Sequence, residues 1–332
     1  MRGSILYSVL MAFGFVVITL DVLSQQVYQF SQYQQNLYIL NTASSGMHDY
    51  LEFNMSYRQQ WVGIENSPTT SYISANMPFG KRLRINPRVS SSRISTPKAY
   101  NAIERSTVHT VGVYVSQDSY GPYAANRFQA SYAFHLPIAE ELTLSFSPNV
   151  SFNSMTFDPD KAIVEYANDP TYINYVGTRN ASSQLDINIA FWLYHSRYFA
   201  GYSSAQLVQD RLKLTNEETL SQIMAHHNFI AGYHFRLNRN MVLTPSTMVK
   251  IVGQAPASVD INFRLDIQET YWGGMTYRSS NALSFMAGIY LNNSFRFGYS
   301  FDYALSSLRL QNAGTHELMM GLNLFNKEKA VF

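Results

Sequence analysis

Cysteine is absent from this 332-residue chain. Its absence excludes a disulfide framework, a thiol-ligated metal site and a lipid-anchored N-terminal Cys. Charge is scarce too: Asp, Glu, Lys and Arg make up 14% of the residues, against roughly 25% in an ordinary soluble domain. The formal balance is +2 and no Lys/Arg-rich block occurs, so nothing points to nucleic acid as a partner. Beyond Leu20 there is no long apolar run, which excludes a helical membrane protein. Gly-rich phosphate loops, a nucleophile elbow and HExxH are also missing, so no enzyme signature and no cofactor is expected.

What is abundant is rings, with 24 Tyr and 21 Phe. Few charges, many rings and moderate hydropathy suit a barrel whose strands alternate lipid-facing and lumen-facing residues. The N-terminus fits export. Arg2 precedes a nearly continuous apolar stretch, Ile5 to Leu20, which Asp21 ends, and Val22 and Ser24 stand at −3 and −1 before Gln25. That is the layout of a signal peptide over residues 1–24. An uncleaved anchor is the competing reading, but the stretch is short for spanning. Residues 25–332 are then expected to form one outer-membrane β-barrel domain.

Alternation with period two dominates that domain. From Leu51, residues Leu51, Phe53, Met55 and Tyr57 share one face, with Glu52, Asn54, Ser56 and Arg58 on the other. Near the end, Phe295, Phe297, Tyr299, Phe301 and Tyr303 oppose Arg296, Gly298, Ser300, Asp302 and Ala304. Similar segments lie near 107–116, 126–135, 142–153, 184–194, 224–236, 257–267 and 282–291, and weaker ones near 70–78, 198–208, 241–252, 270–279 and 315–325. The expectation is an all-β transmembrane antiparallel barrel of about 14 strands, each roughly the 9–11 residues that cross hydrocarbon at a tilt. A soluble β-sandwich would need charge on its outward face.

Connection lengths orient the barrel. Short polar turns are expected around His195–Arg197, Asn238–Asn240 and Asn292–Ser294, and longer loops at 117–125, 154–183 and 209–223. Short turns belong to the periplasmic side, so the first strand runs outward and the last inward. The 79–106 stretch, rich in Ser and Arg, is the misfit: an insertion, or a pairing shifted by one hairpin.

Candidate motifs are few. His226 and His227 are strand neighbours that face opposite sides, so they cannot chelate one metal together. Asp158-Pro159-Asp160 lacks the remaining ligands of a calcium loop and reads as a solvated loop. A lumenal Ser/His hydrolytic pair finds no support in spacing. The lumen-facing charges say more. Arg58, Arg278, Asp302 and Glu317 share the parity of the polar face and sit toward the outer strand ends. Closure brings the last strand beside the first, so Arg58 and Glu317 are expected to meet across the seam in an ion-paired cluster. The alternative is four unrelated solvated charges.

Both ends of the mature chain carry a resemblance. Gln25-Gln-Val-Tyr-Gln-Phe-Ser-Gln-Tyr33, Asn41-Thr-Ala-Ser-Ser-Gly46 and Tyr57-Arg-Gln-Gln-Trp61 resemble the opening of the PorP/SprF family. Tyr277-Arg278, Leu283 to Tyr290, Phe297 to Tyr303 and Gly314-Thr-His-Glu-Leu318 resemble its end, the last of these its closing Gly-Ser-His-Glu-Ile. Two departures stand out: the family's Asn-Pro-Ala-Tyr-Ala-Gly reads NTASSG here, and the 79–106 stretch is longer than usual. The resemblance implies an outer-membrane barrel of type IX secretion. Such a barrel works with secretion components, or holds a large surface protein or gliding adhesin through that protein's C-terminal domain. The matched residues Arg58, Gln60, Trp61, Asp302, His316 and Glu317, with Arg278, form the candidate partner-binding or barrel-defining set; their structural alternative is seam closure and strand ends. The rival readings are a passive porin or hydrophobic-solute channel and, more remotely, a barrel enzyme.

Overall fold

The computed structural model describes residues 30–79, 107–139, 141–162, 180–207, 224–253, 255–280, 282–292 and 294–325. The expected signal peptide lies outside them, as does nearly all of the 79–106 stretch. The strands are β1 (Leu51–Gln59), β2 (Thr69–Phe79), β3 (Val108–Tyr120), β4 (Tyr123–Ala139), β5 (Leu142–Phe157), β6 (Asn180–Tyr194) and β7 (Tyr198–Ala205). After them come β8, β9 (Met241–Val252), β10 (Ser258–Ile267), β11 (Tyr271–Arg278), β12 (Ala282–Leu291), β13 (Phe295–Ala304) and β14 (Thr315–Leu324). Strand β8 comes as two halves, His226–Tyr233 and Phe235–Asn238, interrupted at His234, and both halves pair with β9. Every neighbour is antiparallel, and β14 returns to β1, with Arg58 opposite Glu317. The sheet closes into a 14-strand barrel. Closure pairs backbone donors and acceptors from strand to strand, which hydrocarbon demands because it offers no hydrogen bonds of its own.

Side-chain alternation explains which face is which. Along β3, Thr110, Tyr114, Ser116 and Asp118 are buried, whereas Val111, Val113 and Val115 are 49%, 45% and 49% exposed. On β13, Arg296, Ser300 and Asp302 are buried and Phe295, Phe297, Tyr299 and Tyr303 lie outside. A strand puts successive side chains on opposite faces, so the polar set lines the lumen and the apolar set meets lipid. Rings gather toward both rims of that outer face: Phe79, His109 and Tyr132 at the end where β3 starts, Tyr299, Phe301 and His316 where β14 starts. Such belts suit the membrane–water boundary, where an amphipathic ring is best solvated.

Two expectations about connections change. The loop expected at 117–125 is mostly strand, with β3 and β4 joined by Gly121-Pro122 alone. Gly121 takes φ +55, a left-handed conformation that glycine adopts without strain. The Tyr120 and Tyr123 rings stack across this turn with centroids 5.4 Å apart. Alternation fades from Gln117 onward because both faces there are polar, so the strand continues where its hydrophobic pattern stops. Strands β3 to β6 hold 13, 17, 16 and 15 residues, more than the roughly 9–11 needed to cross the hydrocarbon. They form one tall wall. The second change concerns 79–106. Strand β2 pairs with β3 directly, Thr69 opposite Ser119 through Phe79 opposite His109. The two strands are therefore direct neighbours and the shifted-hairpin alternative falls away, while residues 80–106 themselves lie outside the described residues.

Candidate functional site: a filled lumen and its charge network

Six strands each bring one ionisable side chain into the outer half of the lumen. Arg58 on β1 lies 2.6 Å from Asp302 on β13 and 3.3 Å from Glu317 on β14. Arg278 on β11 reaches Asp302 at 3.8 Å and Asp260 on β10 at 3.5 Å. Lys250 on β9 closes on Asp260 at 2.9 Å. Three cations thus face three anions, and none of the six side chains is more than 13% exposed. The balance matters because a lone charge out of water costs several kcal/mol, while a paired one recovers much of that.

The candidate residues divide into three places. Arg58, Arg278, Asp302 and Glu317 meet in this network. Gln60 and Trp61 follow β1 at the outer rim: the Gln60 N–H donates to the Pro68 carbonyl at 2.8 Å, and the Trp61 N–H donates to Thr315 Oγ1 at 3.2 Å. His316 points the other way from Glu317, as strand parity requires. On the outer face its Nδ1 lies 2.7 Å from Tyr299 Oη. Asp260 and Lys250 were missed by the sequence reading although each shares the lumen parity of its strand. The polarity of their neighbours gave no reason to single them out.

The larger omission is the segment before β1. Residues Phe30–Gly46 lie inside the barrel, all buried except the half-buried Leu37, Ile39 and Leu40. No alternation marks this stretch, because it is three single turns of 3-10 helix, Tyr33–Gln35, Leu37–Ile39 and Thr42–Ser44. Its bonds run to the wall on nearly every side. The Ser31 N–H donates to Glu317 Oε2 at 2.7 Å, and Ser31 Oγ donates to Asp302 at 2.7 Å while accepting from Arg58 Nη1 at 2.6 Å. Gln34 donates to Ser246 on β9. Asn36 donates to Ser74 on β2 at 2.9 Å, and Tyr38 Oη lies 2.8 Å from Ser131 Oγ on β4. Ser203 on β7 donates to the Leu40 carbonyl at 2.7 Å, and Asn149 on β5 donates to Thr42 Oγ1 at 3.1 Å.

Asn41 and Gly46, the two ends of NTASSG, have distinct tasks. Asn41 Oδ1 caps the Thr42–Ser44 turn by accepting from the Ala43 N–H at 3.0 Å. Its amide nitrogen donates to the carbonyls of Phe191 on β6 and Tyr202 on β7, at 3.0 and 3.1 Å. Gly46 takes φ +72 where a side chain would overlap Thr110 on β3. Rings pack the rest. Phe30 meets Tyr72 edge-on at 4.7 Å, and Tyr33 and Ala43 join Trp192, Phe199 and Met248 in one buried cluster.

Other motifs find plain structural roles. Ser145 Oγ lies 2.6 Å from His135 Nδ1, but both residues are at most 1% exposed, so a substrate has no approach to that pair. Asp158 accepts from the Asp160 N–H at 3.3 Å at the start of a single turn. Among the described residues no group of three or more His, Cys, Asp or Glu is placed to hold a metal ion.

Comparison with known proteins gives one informative match. No curated protein matches the chain. Among solved structures, the Ralstonia pickettii toluene transporter TbuX is similar at 8% identity and a TM-score of 0.48, over 86% of this chain and 92% of that one. The translocator domain of the autotransporter NalP from Neisseria meningitidis is similar at 10% identity and a TM-score of 0.40, over 88% and 95%. Nothing about substrate or activity follows from likeness at this level. The family model described as type IX secretion system membrane protein PorP/SprF matches residues 22–322. A closed barrel with an apolar belt and this match over nearly the whole length agree: the chain belongs to the PorP/SprF family of type IX secretion membrane proteins and is an outer-membrane β-barrel.

Proposed function

We propose that this barrel is a non-enzymatic component that helps to export or anchor a large surface protein or gliding adhesin, held through the partner's C-terminal domain. The observation that carries the reading is the filled lumen. Residues Phe30–Gly46 occupy the space through which a porin or solute channel would pass its cargo. While Phe30–Gly46 stays seated the barrel acts through its surfaces, and the tall β3–β6 wall offers a large one beyond the outer rim.

Within this reading the candidate residues separate by access. Arg58, Arg278, Asp302 and Glu317 are buried and define the barrel and its filling. Gln60 and Trp61 at the outer rim are the members available to a partner, and His316 faces the boundary region of the membrane. The test is affinity purification of the full-length protein from outer membranes in mild detergent, paired with a deletion strain. Co-purification of a large secreted surface protein, and its retention in the periplasm after deletion, are the expected results. Purification of the barrel alone, with surface proteins unchanged in the deletion strain, would refute the role.

A further inference from the structure

The wall is shaped to the segment it encloses. Gly112 on β3 and Gly298 on β13 face the lumen, and each leaves the space of one side chain to the interior segment. A Cβ at Gly112 would come within 2.6 Å of Tyr38 Oη and one at Gly298 would overlap Gln32 Oε1, whereas one at Gly201 on β7 would first meet the wall's own Trp192. Gly112 and Gly298 have ordinary extended backbone, so left-handed geometry does not explain these glycines; room for the segment does. Above them, Ser31 is gripped by Arg58, Asp302 and Glu317, where β1, β13 and β14 meet at the seam.

We propose that Phe30–Met47 is a latched plug, seated on Gly112 and Gly298 and clasped at Ser31, which keeps a potential pore through this barrel closed until the latch is released. Ordering the segment costs about 1–2 kcal/mol per residue in backbone entropy. It therefore stays seated only while its many wall contacts hold together. Filling the Gly112 and Gly298 seats displaces Tyr38 and Gln32 together and loosens the plug, while the bonds from Gln34, Asn36 and Asn41 to the wall remain. The inference rests on the occupied lumen and not on the identity of a secretion partner, so the two stand or fall separately.

The test is ion conductance of the purified full-length protein in planar bilayers. The wild type is expected to show no stepwise current, and the Gly112→Leu, Gly298→Leu double variant is expected to show resolved open steps. An openly conducting wild type, or a folded double variant as silent as the wild type, would overturn the proposal. Should the double variant fail to fold, Asn36→Cys with Ser74→Cys gives an independent reading. The chain has no other cysteine, and Asn36 Nδ2 lies 2.9 Å from Ser74 Oγ. Oxidation in outer membranes, or a short bifunctional thiol reagent that spans the pair, is expected to link plug to wall. An unlinked product under conditions that oxidise a control pair on adjacent strands would show an empty seat and end the idea.

Discussion

Arg58 touches Asp302, Glu317 and Ser31 at once, so it joins the seam to the plug through one guanidinium. Its planar fork suits that task, since separate donors can serve two carboxylates and a hydroxyl. Removing one member of a buried, hydrogen-bonded charge cluster leaves its partners uncompensated, at a cost of about 3–5 kcal/mol. Arg58→Ala is expected to lower stability by that order in denaturant unfolding of the barrel in detergent micelles; a loss below about 1 kcal/mol would mean that water reaches the cluster. A milder change separates packing from polarity. Tyr38→Phe keeps the ring beside Gly112 and loses the bond to Ser131, so it should cost about 0.5–1.5 kcal/mol in the same measurement.

The strands behave as two surfaces back to back, one against lipid and one against the plug. Val113 sits mid-strand on the outer face of β3, 45% exposed, and Val113→Arg should destabilise by about 2–4 kcal/mol, the cost of a cation near the bilayer midplane. Urea titration in lipid vesicles would measure it, and a neutral effect would mean that β3 lies away from hydrocarbon at that height. This outer face was legible in the sequence because lipid imposes one rule on every second residue. All fourteen strands stood near their predicted places. The outer ends of β3 to β6 did not, and Gln117 to Ala125 was expected as loop although it is strand on both sides of the Gly121-Pro122 turn. Above the membrane both faces meet water, and the contrast that reveals a strand disappears.

Taken whole, the molecule is a lipid-facing shell closed around a polar interior that its own chain fills. Such a shell has no solution in plain water. Removing detergent from the purified protein should precipitate it or drive it into added lipid, as a sedimentation assay would record; a protein that stayed dissolved would contradict the membrane reading. The interior has its own logic. Wall and plug are both rich in Ser, Asn and Gln, and their mutual bonds replace those that water would make in an open pore. The chain that fills the lumen also supplies the first strand, and the plug leads into β1 through His48 to Tyr50.

Composition and alternation were enough to announce a membrane barrel, its strand number and the parity of Arg58, Arg278, Asp302 and Glu317, because lipid acts on each strand separately and locally. Which charges would touch depended on closure. The meeting of Arg58 with Glu317 could be anticipated from the seam between first and last strands, whereas Lys250 and Asp260 joined the network through strands far from it in sequence. The plug stayed hidden for a related reason. Its residues satisfy partners on β2, β4, β5, β6, β7, β9, β13 and β14, and a polar, aperiodic stretch reads as loop until the wall around it exists.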